Sequence, residues 1–330
     1  MSGYTRIRAE APIDSHSIVP TPGELDAPTG PIYNLASPRA ALARLNRVRR
    51  TNRIAMPPKQ PVRVEPLNNV SRRITRWLGV SFPDQFPFVF VTGCPKSGTS
   101  WVAQLVSDYL RLPFPRHSPF PIGIPAVIHG HDIVLRKFRR CVYVMRDGRD
   151  VMCSLYFHLS RQVPEGDRPA MSRRHSQIFP GLVNRENVRE NMPAFVEAQM
   201  KRPYSTPYNW GAHVRTFMDS RREGVVGVRY EDLLADAAAG LASVAEGLTG
   251  EEADPDRVRW AVEKFSFEKL SGRRRGQESR SDFLRKGEAG DWVNHFNREA
   301  AEIFDLHCGK TLIEAGYEAD RAWIERCPPT

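Results

Sequence analysis

The chain reads as an α/β protein with a central, mainly parallel sheet flanked by helices and a P-loop-like nucleotide-binding core. Three observations predict this class. From Phe86 onward, short apolar runs alternate with helical ones, the pattern of βαβ units. A glycine-containing turn, CPKSGTSW from Cys94 to Trp101, joins the first apolar run to the first helical one. The polar motifs that follow sit just after apolar runs, at the carboxyl ends where parallel sheets bind ligands.

The elements follow in order. Residues 1–65 are rich in Pro, Arg and Ala, with VPTPGELDAPTGP and MPPKQPVRVEP as extended, turn-forming stretches. Ser37-Pro38 is placed to start a short helix through AALARLNRVRR. This region is expected to be an arm, partly disordered or wrapped on the core, and residues 66–330 the functional domain. Strands are predicted at Phe88–Val91, Cys141–Met145 and Val225–Val228, with a shorter one at Ala126–Ile128. Helices are predicted at Ser100–Leu110, Asp150–Leu159 and Tyr230–Leu234. Arg161 to Pro207 is long, polar and weakly periodic, which suits either a lid or binding loop or a surface excursion.

Composition narrows the class. Hydrophobic content of 41% and charged content of 26% are those of a globular protein. No window holds eighteen uninterrupted apolar residues, so no membrane span is expected. The N-terminal stretch has no apolar run after its basic residues, and the five cysteines are scattered without a CxxC. Both features point to reduced thiols and a cytoplasmic setting. A net charge of +10 suits phosphate-bearing or acidic partners. No helix-turn-helix, zinc-finger or RNP pattern supports nucleic acid as the partner.

Gly93 and Gly98 have the GxxxxG spacing of a nucleotide triphosphatase loop, yet no Lys follows Gly98; the lysine is Lys96, inside the turn. Backbone amides of such a turn, opening into a helix, cradle an anion. Ser97, Thr99 and Ser100 add hydroxyls. In VYVMRDGRDVMCSLYF, Arg146 ends a strand and stands eight residues before Ser154 on the next helix. Arg and Ser so placed can converge on one phosphate, the Arg as a bidentate fork. Within FLRKGEAGDWVNHFN, Arg285, Lys286 and Gly287 form a basic turn.

Together these motifs resemble the cytosolic-type sulfotransferases that use 3′-phosphoadenosine 5′-phosphosulfate (PAPS) and release 3′-phosphoadenosine 5′-phosphate (PAP). PKSGTSW resembles the family's 5′-phosphosulfate loop, which usually ends Thr-Thr-Trp. The Arg146 and Ser154 spacing resembles its 3′-phosphate site, and RKGEAGDWVNHF its C-terminal signature, with Val293 where the family usually has Lys. The resemblance spans roughly residues 80–310. It implies that Lys96 meets the oxygen bridging phosphate and sulfuryl group, and that Ser154 restrains the lysine until acceptor binds. Arg285, Lys286 and Gly287 would clamp the 3′-phosphate. KFSFEKL implies Ser266 and Phe267 at the adenine, TPYNWGAHV implies Tyr208 there, and Trp101 is placed to stack on the base.

The family's general base lies in a Lys-Thr-His segment; the corresponding stretch here is VIHGHDI, so His131 takes the base position and His129 replaces the lysine. A His-x-His pair with Asp132 beside it leaves a metal reading open, but supplies too few ligands, and no metal is expected. The predicted reaction is in-line sulfuryl transfer from PAPS to a hydroxyl or amine of a small-molecule or glycan acceptor. A P-loop kinase or NTPase, and a non-catalytic basic module binding PAP or a polyanion, are the alternatives. The family's dimer element is missing from DPDRVRWAVEKF, which leaves the oligomeric state open.

Overall fold

The computed structural model describes residues 65–329, apart from 117, 162–172, 181–183, 221, 281 and 283. The expected arm and its Ser37-Pro38 helix lie outside the described residues, save Glu65, which opens α1 (Glu65–Ser81). Four parallel strands form the sheet: β1 (Val89–Thr92), β2 (Val127–His129), β3 (Arg140–Met145) and β4 (Val225–Arg229), in the order β2-β1-β3-β4. Val91 lies level with His129 on one side and Val142 on the other, so β1 ends one residue past β2, while β3 runs two residues beyond the level of Thr92.

Strand residues are buried on both faces, as a parallel sheet covered by helices requires. Alternation sorts them. Val89, Val91, Val142 and Val144 pack with α2 (Thr99–Leu110) and α8 (Ala237–Thr249). Phe88, Phe90, Cys141 and Tyr143 face the other way, where Phe90 stacks on Phe138 at 3.9 Å and Tyr143 on Phe217 at 4.2 Å. Phe217 belongs to α6 (Trp210–Met218). The remaining helices on the domain side of β4 are α7 (Tyr230–Ala235), α9 (Pro255–Lys264) and α10 (Phe267–Ser271).

A second core surrounds α3 (Gly148–Ser160) and α11 (Arg298–Glu314), with Trp210, Trp292 and Trp323 in it. Arg149 is 2% exposed there, its guanidinium 3.8 Å over Trp292 and 4.7 Å over Trp323. Its charge is met by Asp147 at 2.7 Å and Glu318 at 2.6 Å, the pairing a buried guanidinium requires.

The predicted strands, and the predicted helices that fall among the described residues, therefore stand, with boundaries moved by one or two residues. The stretch from Arg161 to Pro207 departs from the expected loop. It carries α4 (Arg173–Ile178) and α5 (Val188–Lys201), and α5 packs against α11 in the second core. Val188, Met192, Phe195, Val196 and Met200 recur at helical spacing and are buried. Pro193 masks that pattern, because proline cannot donate to the carbonyl four residues back. The carbonyl at that position, Arg189, accepts instead from Asn297 Nδ2 at 3.4 Å.

Candidate active site

The loops that leave the carboxyl ends of the strands meet over the edge of the sheet. The turn after β1 is held in the left-handed region at Lys96 (φ 74°) and Gly98 (φ 87°). Gly98 is required by space as well as by conformation: a Cβ there would stand 2.6 Å from the Tyr230 ring. A lysine at positive φ costs on the order of 1 kcal/mol or more and persists where its surroundings enforce it. The turn ends in the N-terminus of α2, whose first residues, Thr99 and Ser100, were both expected at the anion site. Ser97 is 1% exposed and its Oγ has no hydrogen-bond partner.

Arg146, the residue after β3, joins two of the predicted motifs. Nη1 donates to the Lys96 carbonyl at 3.2 Å and Nη2 to the Glu288 carbonyl at 3.2 Å, while Nε, also buried, has no partner. Its guanidinium lies 4.4 Å over the Tyr230 ring and 3.7 Å from Asp150. Buried donors without acceptors are costly unless an acceptor-rich group supplies them. Ser97 Oγ–H and Arg146 Nε–H thus fit a phosphate. Ser154 lies half-buried on α3, eight residues on from Arg146.

The C-terminal turn meets Arg146 through its backbone. The side chains of Arg285 and Lys286 are tied to carboxylates: Arg285 to Glu278 at 2.7 Å and Asp291 at 2.6 Å, Lys286 to Glu288 at 2.9 Å and Asp291 at 3.0 Å. Asp291 also accepts from His295 at 3.1 Å and Asn294 at 3.0 Å. These bonds, that from His295 foremost, hold its carboxyl far below the ordinary aspartate range. Gly287 (φ 70°) lies against Phe267, which is buried, and Ser266 caps α10 by accepting from the Lys269 amide at 3.3 Å.

His131 follows β2 rather than lying on it. Its ring nitrogen Nδ1 donates to the Gly93 carbonyl at 2.8 Å, leaving Nε2 to carry the lone pair in the neutral ring. Burial lowers its pKa below the ordinary histidine value; the bond to Gly93 works against this, and the charges of Lys96, Arg72 and Arg116 add to it. The His131 carbonyl accepts from His213 Nε2 at 3.3 Å, and His213 Nδ1 accepts from the Tyr143 hydroxyl at 2.8 Å. A buried chain from the sheet thus fixes the backbone that carries His131.

His129 turns elsewhere. Its Nε2 bonds Thr99 Oγ1 at 2.9 Å and lies 3.4 Å from Ser100 Oγ. Asp132 pairs with Arg76. The three side chains raised as metal ligands thus face separate partners, and no cluster of three His, Cys, Asp or Glu residues suited to a metal occurs among the described residues.

Lys96 is half-buried. Burial, with the guanidinium groups of Arg161, Arg146 and Arg116, lowers its pKa to about 7.

Of the expected aromatics, Trp101 donates from Nε1 to the Phe265 carbonyl at 2.9 Å and stands edge-on to Tyr230 at 5.9 Å. Tyr208 is exposed and borders a small cavity with Cys94, Pro95 and Trp210. The tyrosine that stands against the phosphate-type turn and Arg146 is Tyr230, which the sequence reading did not single out. Its signal was its place directly after β4, where the other loops also begin.

Residues 129–316 match the sulfotransferase domain family. The chain is 25% identical over 275 residues to a 3-alpha-hydroxysteroid sulfotransferase of Cavia porcellus, covering 71% of this chain and 85% of that one. It is 25% identical over 262 residues to an amine sulfotransferase of Oryctolagus cuniculus, covering 66% and 78%. Among solved structures, a mouse sulfotransferase complexed with PAP superposes with a TM-score of 0.53 at 19% identity, over 76% of this chain and 92% of that one, and so shares its fold. On the domain match, which spans more than half of the sequence, the chain belongs to the sulfotransferase family.

Proposed function

We propose that the chain transfers a sulfuryl group from PAPS to a hydroxyl or amine of a small-molecule acceptor. The observation that carries this is Arg146, whose one guanidinium spans the Lys96 turn and the Glu288 turn while keeping a buried N–H for a phosphate oxygen. The 5′-phosphosulfate belongs in the turn of Lys96, Ser97, Gly98, Thr99 and Ser100, and the 3′-phosphate beside Arg146 and the Arg285–Gly287 turn. The base lies between Trp101, Tyr230 and Phe267.

In the reaction, the acceptor O–H or N–H gives its proton to His131 Nε2. The freed electron pair forms a bond to sulfur as the bond from sulfur to the bridging oxygen breaks. Charge that collects on the departing PAP phosphate is met by Lys96 and the turn's amides, placed beforehand. The donor's phosphates also restore the full charge of Lys96, whose pKa is held near 7 by burial first and then by the neighbouring cations. Ser154 is assigned the role of restraining Lys96. A sulfuryl group carries less charge than a γ-phosphoryl group, so this arrangement asks for no metal.

Relatives named for a steroid and an amine support a small-molecule acceptor. No helix among the described residues is long and apolar enough to cross a membrane. All five cysteines are buried and free, which supports the cytoplasmic setting.

The test is turnover: sulfur-labelled PAPS with a panel of phenols, alcohols, saccharides and amines. Acceptor-dependent release of PAP that is lost in Lys96→Ala supports the proposal. Release of labelled sulfate without transfer to any acceptor, or full activity in Lys96→Ala, counts against it.

A further inference from the structure

Helix α1 turns its polar residues inward and its apolar ones outward. The buried positions, Asn68, Ser71, Thr75 and Gly79, recur at steps of three and four. At Gly79 a Cβ would stand 2.5 Å from the Phe88 ring, so the helix lies close against the Phe88 and Phe90 side of the sheet. On the outer face Leu67, Val70, Ile74 and Trp77, again at steps of three and four, are 58%, 54%, 39% and 56% exposed. Phe82, also exposed, extends this stripe, with its ring edge-on to Trp77 at 5.4 Å.

A second apolar segment adjoins the helix. The Ile122 amide donates to Thr75 Oγ1 at 2.9 Å, and Phe120 and Ile124, two residues to either side of Ile122, are both exposed. More than half of the large apolar side chains left exposed among the described residues therefore gather on α1 and the segment bonded to it. Single exposed apolar residues need no explanation, but a gathering of them marks an interaction surface.

The charge beside the stripe says what kind of surface it meets. After Glu65, α1 carries Arg72, Arg73 and Arg76 and no carboxylate. Arg73 is exposed, three residues after Val70 and four before Trp77, which sets it alongside the stripe. Arg72 is exposed as well, and it donates to Asn69 Oδ1 at 2.7 Å, a partner that leaves its charge in place. Arg76 pairs with Asp132, the neighbour of His131, and so fastens the helix to the segment after β2. An apolar stripe that includes a tryptophan, with arginines beside it, is the composition of a helix that lies in the plane of a bilayer surface. A second copy paired on the same stripe about a two-fold axis would bring arginines toward arginines, with no carboxylate from α1 beyond Glu65 to meet them.

We propose that this face docks the protein on a lipid bilayer with anionic headgroups. Leu67, Val70, Ile74 and Trp77 enter the boundary between headgroups and acyl chains, and Arg72 and Arg73 meet the headgroup phosphates. The docking stands apart from the sulfotransferase reading, since it involves none of the residues assigned to donor or catalysis.

The test floats the full chain with vesicles of phosphatidylcholine alone and with vesicles in which about a third of the lipid is phosphatidylserine. Binding to the anionic vesicles should be about tenfold tighter or more, and should weaken as salt is added. Leu67→Ser and Trp77→Ser should each weaken it by about tenfold, and Arg73→Gln by about fivefold, on the anionic vesicles alone. These side chains are exposed, so the variants should keep the parent's melting temperature. A readout on the unaltered chain is quenching of tryptophan fluorescence by brominated acyl chains, which Trp77→Phe should largely remove while binding persists. No binding to either vesicle overturns the proposal. So does binding without quenching that Leu67→Ser and Trp77→Ser leave unchanged, which would be the attraction of a basic chain to charge alone. Self-association that Leu67→Ser abolishes, without vesicle binding, would assign the stripe to a second copy and overturn it too.

Discussion

The carboxylate of Asp150 accepts the backbone amide of Gly290 at 2.7 Å. Its other oxygen accepts the Trp292 amide at 3.0 Å, and Arg146 lies 3.7 Å away. Asp150 is 2% exposed, so these charge-assisted bonds act away from water. One side chain thus fastens the C-terminal turn to α3 and to the arginine proposed for the 3′-phosphate. Asp150→Asn turns an N–H toward one of those amides. It should lower unfolding stability by about 1–3 kcal/mol, read by urea denaturation, and weaken PAP binding. Unchanged PAP affinity in the folded variant would separate the turn from the nucleotide site.

Gly98→Ala should disable the turn. A Cβ at φ 87° costs about 1–2 kcal/mol and meets the Tyr230 ring at 2.6 Å. The turn or the ring must move, and both border the proposed nucleotide site. Thermal unfolding with and without PAP should show a lower melting temperature and a smaller PAP-induced shift. A variant that binds PAP as the parent does would show that the turn tolerates the side chain and that Tyr230 is free to yield.

The pH dependence of PAP binding follows from Lys96. In the donor-free protein its pKa is lowered to about 7, by burial first and then by neighbouring arginines. At pH 8 it is therefore mostly neutral, and the incoming phosphates favour its charged form. PAP binding should take up protons at pH 8, seen as a binding enthalpy that changes with the ionisation heat of the buffer. Affinity should fall as pH rises above 7. Lys96→Met should remove most of the uptake; an unchanged uptake would place the titrating group elsewhere.

The two histidines divide cleanly. His131→Ala should lower turnover by about 10²–10⁴-fold with PAP affinity nearly kept, because its Nε2 is the proposed base. With the pKa of His131 depressed by burial, the acid limb of kcat/KM should lie below the ordinary histidine value. His129→Ala removes a bond to Thr99 Oγ1 and should act mainly on donor binding. An inactive His129→Ala beside an active His131→Ala would reverse the assignment.

Much of this arrangement was legible in the sequence, and for identifiable reasons. Strand and helix alternation around Lys96, Arg146 and Val225 follows from local apolar patterning, so the sheet and its ligand-binding edge were readable. The meeting of Arg146 with Lys96 was readable too, since strand ends in a parallel sheet point one way. What escaped depends on packing between distant segments. Pro193 hid α5, because the Asn297 bond that serves the orphaned Arg189 carbonyl lies more than a hundred residues away in sequence. Tyr230 looked like the first residue of a short helix, and only the fold brings its ring against Gly98 and Arg146. The binding of Arg285 and Lys286 to Asp291, six and five residues on, was hidden for a different reason, as a motif does not show which partner its side chains hold.

The most direct measurement is thermal unfolding of the full chain alone, with PAP, and with ATP·Mg²⁺. A ligand at 100 times its dissociation constant stabilises by about 2.7 kcal/mol, which raises the melting temperature by a few degrees in a chain of this size. A clear shift with PAP and little with ATP·Mg²⁺ is the expected result. A shift with ATP·Mg²⁺ and none with PAP would contradict the donor site built on Lys96 and Arg146.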